Sequence, residues 1–213
     1  MEINKELIFG LKEKNPEIKI VAATKYVDSV SLLKYYEAGI RDFGENRVAD
    51  FLKKYESFKN HDVKWHFIGH LQSNKCKEVI NKIDCLHSID SLRLIDVIDK
   101  YALKAIDCFI EVNTSNESTK NGIKENDLAM FVERINKSPK LNLIGLMTIA
   151  IASENQESVE ACFLKLSELL QSANQKFGLK LKALSMGMSD DYGLALKHQA
   201  THLRLGRILI KKG

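Results

Sequence analysis

The sequence predicts an α/β protein, a single (β/α)8 TIM barrel with an extra N-terminal helix. Three observations predict it. Eight short apolar runs rich in β-branched residues recur along the chain, each followed by a longer amphipathic stretch. The runs are nearly continuously hydrophobic, as in parallel strands covered on both faces. The chain of 213 residues accommodates all eight units, which favours a closed barrel over an open doubly wound sheet. The commonest open sheet also carries a GxGxxG turn after its first strand, and none is present.

The first fifteen residues form the lead-in helix. The strands are residues 18–25 (IKIVAATK), 41–46 (RDFGEN), 65–69 (WHFIG) and 85–89 (CLHSI). They continue with 107–113 (DCFIEVN), 143–149 (LIGLMTI), 183–188 (ALSMGM) and 202–206 (HLRLG). Between them, Leu128, Phe131, Val132 and Ile135 mark one face of a helix at i, i+3, i+4, i+7 spacing. Val159, Cys162, Phe163, Leu166, Leu169, Leu170 and Ala173 do so in the longest helix, where Ser153 and Gln156 fit a capping box. No Gly/Ser-rich linker divides the sequence, so residues 1–213 read as one domain.

Composition excludes several functions. The net charge of +4 is spread over many lysines without a block, which suits a solvated surface rather than a nucleic-acid groove. No run is long enough to span a bilayer and no signal peptide opens the chain, so a cytoplasmic protein without a membrane partner is expected. Cys76, Cys85, Cys108 and Cys162 show neither CxxC spacing nor nearby His partners. They read as buried free thiols of a reducing compartment, with no metal centre.

Barrel proteins carry their chemistry at the C-terminal ends of the strands. There the sequence offers Thr24-Lys25, Gly44-Glu45-Asn46, Gly69-His70, His87-Ser88 and Asn113. Met147-Thr148, Gly187-Met188-Ser189 and Arg204-Leu205-Gly206-Arg207 complete the rim. Taken singly, Lys25 reads as a snorkelling surface charge and His66, His70 and His87 as satisfied structural groups. Together they make a functional rim. Ser189-Asp190-Asp191 has the pattern of a helix start with Ser189 as cap. Gly187 and Gly206 leave room for backbone to approach an anion, so the loops after strands seven and eight form a candidate phosphate cup, to which Arg207 adds charge.

The strings AATK, RDFGENRV, WHFIGHLQSNK, LHSIDSLRL, VNTSNESTKNGI, GLMTI and LSMGMSDDYGLALKHQATHLRLG carry a resemblance over nearly the whole chain. It resembles the pyridoxal phosphate homeostasis protein family, whose fold is similar to the N-terminal barrel of bacterial alanine racemases. The resemblance implies that Lys25 forms a Schiff base with pyridoxal 5′-phosphate. Apolar neighbours would favour its amine form. It further implies that Arg204 faces the pyridine nitrogen, that Gly187, Ser189 and Gly206 bind phosphate, and that Asn46 lines the ring face or hydroxyl side. Where the family commonly has Thr, this chain has Arg207; its N–H still reaches phosphate, and its side chain either makes a charge-assisted bond there or points to solvent.

An arginine at the pyridine nitrogen weakens the ring as an electron sink, and the chain ends almost directly after strand eight, without the racemases' second domain. The expected function is therefore a binding protein for intracellular vitamin B6 homeostasis, passing cofactor to amines or to pyridoxal-phosphate-dependent acceptor enzymes. The expected state is a monomer. The alternatives are a slow amino-acid racemase and, more distantly, a barrel enzyme using Lys25 as a Schiff base on a phosphorylated metabolite.

Overall fold

A computed structural model describes residues 2–25, 27–115, 117 and 119–211. Eight parallel strands close a barrel in sequence order. They are β1 (Lys19–Ala23), β2 (Asp42–Glu45), β3 (Lys64–Phe67), β4 (Cys85–Ile89), β5 (Ile106–Glu111), β6 (Leu141–Met147), β7 (Ala183–Ser185) and β8 (His202–Leu205). The helices α2 (Ser29–Glu37), α3 (Val48–Phe58), α4 (Cys76–Val79), α5 (Leu92–Tyr101), α6 (Leu128–Asn136), α7 (Gln156–Phe177) and α8 (Tyr192–Lys197) alternate with the strands. The extra helix α1 (Lys5–Lys14) precedes them, started by the Asn4 side chain on Leu7 N–H. A 3-10 turn (Arg207–Leu209) follows β8, and the Asn4 N–H on Leu209 O (2.9 Å) ties it to α1. Pairing of Lys19 with His202 closes the ring.

The two faces of the sheet differ. Ile20, Ala22, Phe43, Trp65, Phe67, Leu86, Ile110, Leu184, Leu203 and Leu205 belong to the apolar layer shared with the helices. The alternate residues line the barrel interior, and many are polar and buried: His66, His87, Glu111, Ser185, His202 and Arg204. A barrel of this type usually fills its interior with branched aliphatics. Here a small cluster of Cys85, Phe109, Met147 and Ala183 shares that space with hydrogen-bonded polar groups.

Two expected caps are relocated. Asn155, not Ser153, caps α7: its Oδ1 accepts from the Glu157 and Ser158 N–H groups, while Ser153 Oγ accepts from Asn155 N–H. Asn favours this role because its short side chain folds back on its own backbone. The helix ends at Gly178, whose φ of +63° closes it in the left-handed conformation. Likewise α8 begins at Tyr192, with Asp191 rather than Ser189 before it. The Asp191 carboxylate reaches back to accept from Met188 N–H at 2.5 Å, and this tight turn delays the helix by two residues. Among the described residues, no helix is long and apolar enough to cross a membrane.

Candidate cofactor site at the C-terminal mouth

Thr24 and Lys25 follow β1, with Thr24 N–H still donating to Gly44 O (3.0 Å) in line with the ladder. The turn is held from below. Glu45, fully buried at the end of β2, accepts from Thr24 Oγ1 and from Lys54 Nζ of α3, and that ammonium also donates to Thr24 O (2.7 Å). Lys25 itself is exposed, so the expected apolar setting for its amine is not found. It lines a cavity of about 300 Å³ with Asn46, Asp50, Lys53 and Lys54. Asn46 is therefore brought beside Lys25, and its buried Oδ1 has no partner among the described residues.

On the β8 side of β1, the loops after β7 and β8 meet. Ser189 Oγ accepts from Gly206 N–H (3.2 Å) and Ile208 N–H (3.5 Å). The hydroxyl oxygen thus stands where an anion's oxygen would be held, against the first amides of the 3-10 turn. A Cβ added at Gly206 would meet only Ala23, at 3.6–3.7 Å, so the surface there is backbone with room beside it. These groups fit a phosphate: two N–H donors, a hydroxyl and an open glycine.

Gly187 also shapes the turn. Its φ is +89°, and a Cβ would lie 2.7 Å from Ala195 Cβ and 3.1 Å from Tyr192 Cα. Its carbonyl accepts from Arg204 N–H (2.9 Å). Gly187→Ala is expected to cost about 1–3 kcal/mol through backbone strain and displacement of α8, read as a lower urea midpoint at unchanged slope. The Arg207 side chain does not enter the cup. It pairs with Asp190 at 2.6 Å with 82 % of its side chain exposed, so charge reinforcement of the phosphate by that side chain is not supported.

Arg204 is buried inside the barrel on β8. Its Nη1 donates to Ser185 Oγ (2.7 Å) and its Nη2 to Thr148 O (2.8 Å). Burial lowers its pKa to about 10, against the pull of Glu111 and Asp191, so it stays a cation at neutral pH. From it a chain of hydrogen bonds runs down the interior. A guanidinium only donates and a carboxylate only accepts, so through neutral rings the protons between them run in one direction. Ser185 Oγ donates to His87 Nδ1 (2.8 Å), His87 Nε2 to His66 Nδ1 (2.8 Å), and His66 Nε2 to Asp42 Oδ1 (3.0 Å). Burial, then the nearby His66, holds His87 well below its usual pKa, in keeping with a neutral ring. Burial tends to raise Asp42, but the hydrogen bond from His66 holds its carboxyl below the usual value.

The sequence reading did not single out Glu111 and Asp90. A register shift in β4 brings Ile89 opposite Ile110, which turns Asp90 onto the same interior side as Glu111. Glu111 is 3 % exposed, and its Oε2 has no partner among the described residues. Burial, then the Asp90 carboxylate, pushes its pKa up to about 7, against Arg204 and His70. The signal available in sequence was an acidic residue ending an apolar strand, FIE. A raised carboxyl pKa means the folded state binds the proton more tightly. Its contribution to stability is therefore full below about pH 4.5, the unfolded value, and is lost as pH rises through about 7. Glu111→Gln is expected to flatten that fall by about 3 kcal/mol, measured as the difference in urea stability between the two proteins at pH 5 and pH 8.

The chain matches the model of the alanine racemase N-terminal domain over residues 11–211. It is 41 % identical over 194 residues to the pyridoxal phosphate homeostasis protein of Aquifex aeolicus, covering 90 % of this chain and 85 % of the relative. The counterpart of that name from Schizosaccharomyces pombe is 37 % identical over 196 residues, covering 89 % and 81 %. Among solved structures, PipY of Synechococcus elongatus superimposes with TM-scores of 0.90 without pyridoxal phosphate and 0.87 with it bound, at 29 % and 28 % identity, each over 97 % of this chain and 99 % of PipY. Alanine racemase of Corynebacterium glutamicum shares the fold at a TM-score of 0.74 and 14 % identity, over 93 % of this chain and 57 % of the racemase. The closed barrel and the strings along its C-terminal rim accord with these matches, and the chain belongs to the pyridoxal phosphate homeostasis protein family.

Proposed function

We propose that this chain holds pyridoxal 5′-phosphate as a Schiff base on Lys25 and serves intracellular cofactor homeostasis as a monomeric binding protein in the cytoplasm, passing the cofactor to amines or to acceptor enzymes. The observation that carries the proposal is the convergence, on one barrel mouth, of Lys25, a ready anion cradle and a buried, oriented guanidinium. The bound form of PipY, similar over nearly the whole chain, supports the same ligand.

The cofactor's aldehyde supplies the carbonyl that a primary amine can occupy, and the protein's own groups do the rest. Ser189, with Gly206, Arg207 and Ile208 amides, holds the phosphate. Asn46 lies beside Lys25 and offers a buried carbonyl oxygen without a partner among the described residues. Gly187 shapes the turn and accepts the Arg204 N–H. Arg204, fixed by Ser185 and Thr148, presents a permanent donor to the pyridine nitrogen, which keeps that nitrogen unprotonated and the ring a poor electron sink. Lys25 sits in an exposed turn, open to exchange with incoming amines.

Incubation of loaded protein with L-alanine and other amino acids, followed by chiral chromatography, tests the carrier reading. The expected result is no opposite enantiomer at enzymatic turnover. Steady racemisation on the scale of about 1 s⁻¹ or faster would replace the carrier by the slow-racemase reading.

A further inference from the structure

The chain of hydrogen bonds below Arg204 ends near the opposite, N-terminal mouth of the barrel, where it meets a thiol. Cys85 and His87 are alternate residues of β4, and His66 stands beside Cys85 in the β3–β4 register. The sequence reading, which gave this cysteine no histidine partners, is corrected by the fold. We propose that His66, Cys85 and His87 form a binding site for a divalent cation of the zinc type.

Four observations carry the proposal. One donor atom from each residue lies within 4.8 Å of the other two, and all three residues are buried. The facing atoms His66 Nδ1 and His87 Nε2 are 2.8 Å apart. Tetrahedral ligation at zinc–nitrogen lengths asks for about 3.3 Å, so a cation replaces the shared proton with a small parting of the rings. The remaining ring nitrogens already have partners. Asp42 Oδ1 takes His66 Nε2–H, the carboxylate–histidine arrangement that orients a metal ligand, and Ser185 Oγ sits 2.8 Å from His87 Nδ1. Finally, there is a way in: a cavity of about 310 Å³ at this mouth is lined by His66 and Cys85. It leaves room for a water as fourth ligand.

Charges and protons balance. The Cys85 thiol loses its proton to water through the cavity, and each imidazole binds the cation through an unprotonated nitrogen. His87 changes tautomer, moving its proton to Nδ1, where Ser185 Oγ accepts it. The thiolate and the Asp42 carboxylate together offset the two positive charges. Lys19, Lys64 and Lys104 at the mouth face Asp84 and Asp107. Histidine nitrogen with thiolate sulfur selects zinc, cobalt(II) or cadmium over magnesium or calcium. The site lies at the opposite mouth from the cofactor site, and its test uses cofactor-free protein, so the result does not depend on cofactor binding.

The experiment is a cobalt(II) titration of the reduced, full-length, cofactor-free protein under exclusion of oxygen, followed by zinc competition. The expected result is one equivalent of cobalt with a sulfur-to-cobalt charge-transfer band and visible bands of tetrahedral intensity, both bleached by zinc. Cys85→Ser abolishes the charge-transfer band, His66→Gln weakens binding at least about tenfold, and Cys76→Ser and Cys162→Ser leave it unchanged. Folding of each variant is checked by circular dichroism. Should Cys85→Ser unfold the barrel, X-ray absorption of zinc-loaded wild-type protein decides, with one sulfur at about 2.3 Å and nitrogen or oxygen at about 2.0 Å expected. Absence of a stoichiometric band or of a sulfur shell in folded protein overturns the proposal, as does a band that survives in folded Cys85→Ser.

Discussion

Arg204→Met is expected to destabilise the barrel by about 2–4 kcal/mol and to weaken cofactor binding at least tenfold. Two charge-assisted hydrogen bonds, to Ser185 Oγ and Thr148 O, are lost together, each worth about 1.5–3 kcal/mol. Part of that loss is offset, because methionine fills the space without the cost of burying a charge. Beyond the stability loss, the variant has an electrostatic signature. Arg204 is the main influence opposing the rise of Glu111, so without it Glu111 titrates higher. The fall of stability with pH should then extend above pH 7. Urea denaturation across pH 5–9 checks both effects, and a variant with wild-type stability and wild-type pH dependence would refute the assigned role of the guanidinium.

Lys54→Met should be at least as damaging, although the residue lies outside the phosphate cup. Its ammonium is 2.5 Å from Glu45 Oε1, with side-chain exposures of 8 % and 0 %. The second Glu45 oxygen has no partner among the described residues, so this lysine is the carboxylate's principal compensation, with Thr24 Oγ1 as its other donor. Removing one member of a buried pair leaves a desolvated charge and costs about 3–5 kcal/mol. The double variant Glu45→Gln/Lys54→Met removes both charges and should recover much of that loss, whereas independent sites would simply add. The same ammonium holds Thr24 O, so the turn presenting Lys25 loosens and cofactor loading should slow in the single variant. Calorimetry and loading kinetics on the three proteins separate these effects.

Much of the architecture was legible because it rests on simple periodicities. Apolar runs located all eight strands, and 3.6-residue spacing located α6 and α7. The polar barrel interior was also written in the sequence, as the alternations Trp65-His66-Phe67 and Leu203-Arg204-Leu205, but continuous hydrophobicity on the outer face masked it. What the sequence reading missed depends on competition between neighbouring groups. Ser153 and Asn155 both suit a helix start, and the shorter Asx loop won. Ser189 looked like a cap, yet the Asp191 carboxylate took the turn and freed its hydroxyl for the Gly206 and Ile208 amides. The outcome keeps Ser189 in the phosphate cup by a different route.

Other features depend on non-local geometry. The exposure of Lys25 follows from where the turn after β1 projects, and the solvent-facing pair of Arg207 with Asp190 follows from the 3-10 turn after β8. The Asp90–Glu111 pair exists because β4 shifts register, and no residue pattern announces that shift. His66 reaches Cys85 and His87 only because β3 and β4 pair in register. Their separation of about twenty positions hides a three-residue cluster from any reading of spacing.

The central claim is that Lys25 is the covalent anchor. Borohydride reduction of cofactor-incubated protein, followed by peptide mapping, addresses it directly. The predicted result is a single phosphopyridoxyl adduct on Lys25, absent from Lys25→Ala, whose exposed side chain should leave stability within about 0.5 kcal/mol of wild type. No adduct in folded protein, or an adduct confined to another lysine, would contradict the account.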